Sequence, residues 1–414
     1  MAVASQVEKS LPRDTDHSPG CIPALVMGTN YRALGIVRSL GRRGIPVWVL
    51  KQDSHMLTGL SRYTRRSLPW PAGDDNSRVE YLLSLATKYQ LGGSLLLPTD
   101  DEGVIFVAQN HSRLSQEFSL TTPPWEALRW ACDKRLLYQL GLKINIAQPQ
   151  TFFPRDRSEL CSIEYPFPVI VKPAMRLELN SLTIDKAWLV YDRESLLARY
   201  DRACSIMSPD LVMIQEFLPG GGESQFSYVA LCDDGHSVAS LAAKRLRQFP
   251  MDFGRFSTFV ESVEEPGVVA PAMTLLNALR YTGLVEIEFK LDPRDGQYKL
   301  LDVNTRVWGW HTLCGRAGVD FPYLLWLQSQ GRRVPEVHAR AGTRWVRMGA
   351  DFLAALPEVF GGRIPARSYL RSISGRVEWA IFAGDDPMPF VGRVPALLYV
   401  LTKRALSKKK GASG

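Results

Sequence analysis

The stretch that most constrains this chain runs from Gly283 to Gly309, GLVEIEFKLDPRDGQYKLLDVNTRVWG. Its first part alternates, with Val285, Ile287 and Phe289 on one side and Glu286, Glu288 and Lys290 on the other. That is the period-two pattern of a half-buried strand. The segment DPRDGQ carries the Pro, Asp and Gly of a turn, and YKLLDVNTR returns as the second strand of a β-hairpin. In an antiparallel pair, Glu288 can share one side of the sheet with Asp302 and Asn304, and Arg306 follows at once. Two carboxylates and an amide oxygen are hard donors that suit Mg²⁺ or Mn²⁺, held partly by phosphate oxygens. A solvated sheet face accounts for the same alternation.

At 414 residues the chain has room for two or three domains with ample core. Its formal charge of +8 comes from scattered arginines and the last dozen residues rather than from one stripe, so no nucleic-acid partner is expected. A basic balance also suits an enzyme of polyanionic nucleotides. The six cysteines are widely spaced and form no C-x-x-C pair, which implies neither a zinc knuckle nor a disulfide scaffold and fits reduced, cytoplasmic thiols. No run is long enough to span a bilayer, and residues 1–20 are polar, which predicts a disordered leader rather than a secretory signal.

Taken in order, IPALVMG (22–28), a helix from Tyr31 to about Leu40 and IPVWVL (45–50) make a βαβ opening. It lacks G-x-G-x-x-G, so it serves as scaffold rather than as a dinucleotide site. SRYTRRS (61–67) reads as a loop or strand edge. A helix around 78–90 leads to GSLLLPTDDEG (93–103), whose strand ends in Thr99, Asp100, Asp101 and Glu102. The carboxyl ends of parallel strands present ligands, so these acids either touch a substrate amine or cap the next helix, and capping is the favoured reading. Asp133-Lys134 opens a helix. PFPVIVKPAM (166–175) is a short buried strand from which Lys172 emerges. The following loop has no glycine but offers Arg176, Asn180, Ser181 and Lys186. LVMIQEFLPGGGESQFSYVAL (211–231) runs from a buried strand through a glycine turn to Glu223. Residues 242–262 hold Lys244, Arg245, Arg247 and Arg255. Trp308, Trp310 and His311 follow Arg306, with His311 either a general base or a structural histidine. Helices are expected at 267–282, 320–331, 351–360 and 368–374. The end, FVGRVPALLYVLTKRALSKKKG, reads as a soluble terminal helix with a basic tail or as an amphipathic helix on an anionic membrane.

The hairpin resembles the metal-binding end of the ATP-grasp ligases, where an acid on one strand is followed by E/D-x-N-x-R on the next. The matching residues are Glu288, Asp302, Asn304 and Arg306, with Asp302 where many members carry Glu. The Asp133-Lys134 pair, the strand ending in Lys172-Pro173 and the strand carrying Glu216 to Leu218 occur upstream in the family's order. The most similar subgroup is the carbamoyl-phosphate-synthase-like carboxylate–amine ligases, which include D-aspartate ligases.

The resemblance implies an α/β and α+β architecture. A Rossmann-like domain at 21–120 would precede a two-lobed ATP-grasp fold at 121–331, with a nucleotide lobe at about 130–220 and a metal and substrate lobe at about 221–331. An extra, mostly helical region would occupy 332–414. ATP would be held by Lys134, Lys172 and Lys186 at its phosphates and by Glu216, Leu218 and Glu223 at its base and ribose. Mg²⁺ (or Mn²⁺) would sit on Glu288, Asp302 and Asn304, and Arg306 and Arg247 would face an acyl phosphate. The implied reaction joins a small carboxylate to an amine with release of ADP. The glycine-free loop departs from the family pattern. Two other readings stay open: carboxylate activation for a thiol or carbamoyl acceptor, and an ATP-binding, non-catalytic module with peripheral membrane contact through the basic C-terminus.

Overall fold

The computed structural model describes residues 22–51, 57–175, 180–251, 254 and 256–393. The leader at 1–20, the basic tail, Arg176 and Arg255 lie outside them. The chain begins with a parallel sheet of β1 (Ala24–Met27), β2 (Val47–Lys51), β3 (Thr64–Pro69), β4 (Leu95–Pro98) and β5 (Ser119–Leu120). Their order is β3-β2-β1-β4-β5, so the chain reverses direction across the sheet between β1 and β4. β1 is apolar at every position because both faces are covered. Ala24 and Val26 enter one core, while Leu25 and Met27 enter the other. SRYTRRS, read as a loop or edge, supplies the start of the edge strand β3. At the switch point Gly28 has φ of +133°, and a Cβ there would lie 2.1 Å from Thr99 Oγ1. Only glycine lets the two strand ends come this close.

A small antiparallel sheet follows, made of β6 (Thr151–Phe152), β7 (Val169–Pro173), β8 (Trp188–Val190) and β9 (Val212–Glu216) in the order β6-β9-β7-β8. It closes over a core of its own that includes Val169, Val171, Trp188, Val212 and Ile214. The largest sheet is built from β10 (Gln225–Asp233), β11 (His236–Phe249), β12 (Phe256–Val263), β13 (Gly283–Leu291), β14 (Tyr298–Asn304), β15 (Arg344–Val346) and β16 (Val377–Trp379). Its order is β14-β13-β10-β11-β12-β15-β16. One face packs on helix Pro266–Leu279 through Tyr228, Ala230, Val285, Ile287 and Phe289. The other face sends Val229, Leu231 and Leu241 into a core shared with β1, β2, β4 and helices Tyr31–Gly41 and Phe321–Ser329. The apolar interior therefore runs through the boundary expected near residue 120.

The region after residue 331 is mostly helical, as expected, and adds two short strands to the main sheet. Helices form at Met348–Phe360 and Ala366–Ile373, and β15 and β16 extend the main sheet beyond β12. Three-residue strands are too short to show periodicity, so RWV and VEW carry no signal of their own. The last described loop clasps the first domain. Asp386 is buried and accepts hydrogen bonds from Arg38 Nε at 2.9 Å, Ser61 Oγ at 2.7 Å and the Arg62 backbone N–H at 2.9 Å. Among the described residues no helix is long and apolar enough to cross a membrane.

Candidate functional site

β13 and β14 pair antiparallel as the alternation requires, with Glu288 opposite Asp302 and Glu286 opposite Asn304. The register shifts after Glu288, because Phe289 pairs with Leu300 and leaves Leu301 as the extra residue. This bulge turns Leu300 into the core and aims the Leu301 carbonyl at the Tyr138 hydroxyl, which donates to it at 2.9 Å. On the polar side, Asn304 Nδ2 donates to Glu288 Oε1 at 3.2 Å and to Glu286 Oε2 at 3.1 Å. Its Oδ1 accepts from Arg306 Nη2 at 3.2 Å. Arg306 Nε in turn donates to Asp101 Oδ1 at 2.6 Å, and Arg245 Nη2 approaches Glu288 Oε1 at 3.5 Å. Asp302 forms an ion pair with Lys134 Nζ at 2.7 Å.

One cavity is lined by Glu286, Glu288, Asp302, Asn304, Arg306 and Arg245, with Lys186 and Asp101 also at its wall. Lys134 lines an adjoining cavity that shares Asp302 and Asn304. Of the expected site residues, the structure thus brings together Glu288, Asp302, Asn304, Arg306, Lys186 and Lys134. Lys172 stands on β7 with Nζ 5.9 Å from the Tyr138 ring centre and lines neither cavity. The other three lie along the segment that links the small sheet to β10. Glu216 ends β9, accepts from the Gln150 backbone N–H at 3.1 Å and is ion-paired with Arg294. The Leu218 carbonyl accepts from Lys290 Nζ at 2.8 Å, and exposed Glu223 accepts from the Gly221 N–H at 3.2 Å. Burial pushes the Lys290 ammonium down to about 8, and its two carbonyl partners, Leu218 and Gly220, fix the glycine turn.

One expectation needs correction. Arg247 does not face the cavity. Period two would put it on the same side as Arg245, but β11 is irregular there, with Arg245 opposite Val260 and Arg247 opposite Phe259. The extra residue turns Arg247 to the other face. There it binds both oxygens of buried Asp351 at 2.9 and 2.8 Å, and Ser372 at 2.9 Å. The cation that the strand presents to the site is Arg245. His311, for which the sequence left a structural role or a general base open, is buried and does not line the cavity. Its Nδ1 lies 3.1 Å from the Trp308 carbonyl oxygen, burial pushes its pKa down to about 4, and it packs against Gly35, where a Cβ would meet Nε2 at 2.5 Å. Trp308 and Trp310 both pack into the core, and Trp310 also lines the cavity. The two acids after β4 divide as well. Asp100 caps helix Asp101–Gln109 by accepting from the Gly103 N–H at 2.8 Å, and Asp101 reaches Arg306.

Sequence reasoning missed Glu286. It is buried, and it accepts from Ser227 Oγ and Trp310 Nε1, each at 3.1 Å. Burial, and after it the Glu288 charge, push its pKa up to about 7 against the pull of Arg306 and Arg245. The signal was present in the alternation, which sets Glu286 on the same side as Glu288. Arg306 shows the opposite balance. Burial disfavours its charge, but Asp101, Glu286 and Glu288 outweigh burial and hold the guanidinium more firmly protonated than usual. Among the described residues no three carboxylate, imidazole or thiolate side chains form a ready-made cation cage. Glu288, Asp302 and Asn304 fit a Mg²⁺ ion all the same, since Mg²⁺ typically takes one or two carboxylates and completes its shell with phosphate and water.

Known proteins bear on this geometry. Residues 208–349 match the family described as ATP-grasp in the biosynthetic pathway with Ter operon. The D-aspartate ligase of Enterococcus faecium is 23% identical over 297 residues, covering 68% of this chain and 70% of that one. The structure of an L-amino acid ligase from Bacillus licheniformis superposes with a TM-score of 0.57 at 15% identity, over 74% of each chain. The biotin carboxylase domain of 2-oxoglutarate carboxylase from Hydrogenobacter thermophilus, solved with MgADP, ADP and bicarbonate, gives 0.58 at 13% identity over 77% of this chain and 73% of that one. The match over residues 208–349 and the likeness to these solved structures show an ATP-grasp domain within a fold that this chain shares with them.

Proposed function

We propose that this protein is an ADP-forming carboxylate–amine ligase that activates an acid as its acyl phosphate at the expense of ATP. The observation that carries this reading is the cluster on the polar side of β13 and β14, where Glu286, Glu288, Asp302 and Asn304 share a cavity with Arg245 and Arg306. Alternating acids and cations in a cavity fit a reaction in which negative charge moves from a phosphate chain onto an acyl phosphate. Glu288, Asp302 and Asn304 would hold Mg²⁺, which when bound neutralises phosphate charge. Asp302 would then exchange its Lys134 partner for the ion, leaving the Lys134 ammonium to a phosphate oxygen. Lys172 and Lys186 would add charge on the nucleotide side. Arg306, held by Asp101 and by Asn304 Oδ1, has a fixed orientation and would stabilise the acyl phosphate without having to reorganise.

The partners on this reading are two small molecules, a carboxylic acid and an amine. The test is to incubate the protein with ATP, Mg²⁺ and pooled amino acids and small carboxylic acids, and to follow ADP and phosphate. Release that needs both an acid and an amine, and that vanishes in Asp302→Ala, is the expected result. ATP binding without release for any pair would favour a binding module, and absence of ATP binding would overturn the proposal.

A further inference from the structure

The three residues that the sequence resemblance gives to the base and ribose of ATP, Glu216, Leu218 and Glu223, do not line the cavity that holds the acids. All three are nevertheless tied to the hairpin that carries those acids. Glu216 is ion-paired with Arg294, in the turn between β13 and β14. Arg294 is aimed by buried Asp292, which accepts from its backbone N–H at 3.0 Å and from its Nε at 2.9 Å. The Leu218 carbonyl accepts from Lys290 Nζ at 2.8 Å, and the Gly220 carbonyl accepts from the same ammonium at 2.7 Å. The Gly220 carbonyl and the Gly221 N–H belong to one planar peptide, and that N–H donates to Glu223 at 3.2 Å. One ammonium on β13 therefore fixes Leu218 directly and Glu223 through a single peptide unit.

Packing does not require this arrangement. Lys290 is buried, and taking an ammonium out of water onto two neutral carbonyls costs more than filling the same space with an apolar side chain. What the ammonium adds is direction, since two of its three N–H donors are committed to carbonyls of one turn. Glu288 stands two residues before Lys290 on the same strand, so the fastening comes from the strand that carries an acid assigned to the metal. The small sheet has a core of its own, and these two cations join the end of its strand β9 to the acidic hairpin.

We infer that Lys290 is a positioning residue for the nucleotide, which with Arg294 sets the linker after β9 against the metal hairpin and so holds the base and ribose end of ATP in register with its phosphate end. The inference rests on the ligase reading and goes beyond it, because Lys290 itself touches no substrate and acts through the segment it holds.

The experiment uses the full chain and reads four quantities: the Kd for Mg-ATP by calorimetry, the kinetics of ADP release, the Mg²⁺ concentration for half activity and the thermal midpoint. Lys290→Met keeps the length of the side chain and removes both hydrogen bonds. It should raise the Kd and the KM for ATP about tenfold, with kcat, the KM for the acid and the Mg²⁺ requirement unchanged. Lys290→Arg should recover part of the loss. Arg294→Gln changes an exposed side chain, so it tests the same idea if Lys290→Met does not fold, and it should raise the KM for ATP about threefold. A lower midpoint with an unchanged Kd for ATP in these variants would make the residues merely structural and overturn the inference. A rise in the Mg²⁺ requirement as large as the rise in Kd would mean that Lys290 acts through Glu288, and would overturn it too. In both cases the ligase reading would stand. ATP binding by the unaltered protein without ADP release for any acid and amine would remove the ligase reading, and the Kd for ATP in the variants would then decide the inference alone. No ATP binding by the unaltered protein would overturn both.

Discussion

Replacing Glu286 with Gln should change how stability depends on pH, and the size follows from the site. The carboxyl is buried, has Glu288 on its own strand two residues away, and is pushed up to about 7 from an ordinary 4.5. Arg306, Arg245 and the Ser227 hydroxyl pull the other way and do not cancel the rise. A folded-state pKa above the unfolded value means that the folded protein holds this proton more tightly. The contribution is therefore fully present below about pH 4.5 and is lost as pH rises through about 7. At about 1.4 kcal/mol per unit, the whole loss is roughly 3 kcal/mol, most of which falls between pH 5 and pH 8. Gln keeps the shape and can still accept from Ser227 and Trp310, but it does not titrate. In urea titrations without nucleotide or metal, the stability of the Gln variant minus that of the unaltered protein should grow by about that amount between pH 5 and pH 8. A difference that stays constant across this range would refute the assignment of the raised pKa to Glu286.

Other perturbations separate the nucleotide side from the scaffold. Lys172→Ala should raise the KM for ATP and lower kcat in the ADP-release assay, and values unchanged from the unaltered protein would remove Lys172 from the nucleotide site. Asp351→Ala leaves Arg247 buried without its carboxylate, so it should lower stability by roughly 3–5 kcal/mol, read as a fall in the urea midpoint. Activity per folded molecule should hold, because the Arg247–Asp351 pair lies away from the cavity, whereas a loss of kcat with unchanged stability would return Arg247 to the chemistry.

Much of this site was legible because strand periodicity is a local property. Val285, Ile287 and Phe289 reach the core and Glu286, Glu288 and Lys290 the other side, as the alternation requires, since one face of β13 packs on helix Pro266–Leu279. The parallel opening, the capping by Asp100 and the helices near 267–282 and 320–331 were readable for the same reason. Arg247 was not. A bulge is one residue of irregularity that leaves no mark in composition, yet it reverses the face of everything beyond it. β15 and β16 were hidden by their length, and with them the position of Trp345 at the cavity wall. Arg32 was invisible as a cavity residue because its place at the wall depends on a contact between helix Tyr31–Gly41 and the main sheet, which begins at Gln225, far away in sequence.

That long-range contact explains why the site sits where it does. The core beneath the cavity is shared, with Ala33, Ile36 and Val37 of the first helix packed among Val307, Trp308, Leu313 and Trp345. The salt bridge from Asp101 to Arg306 joins the end of the parallel sheet to the end of the acidic hairpin. The Asp386 clasp on Arg38 and Ser61 fastens the last described loop to the same helix and its neighbour. The first domain therefore forms one wall of the cavity, with Tyr31, Arg32 and Asp101 facing the hairpin acids, and does not merely precede the site. A wall built from a doubly covered sheet keeps Asp101 and Arg32 in place, whereas the small sheet that bears Lys172 has a core of its own. On the ligase reading proposed above, preorganised groups would fall on the substrate side and the separately packed lobe on the nucleotide side, the arrangement expected where ATP enters and ADP leaves while an acyl group is held for an amine.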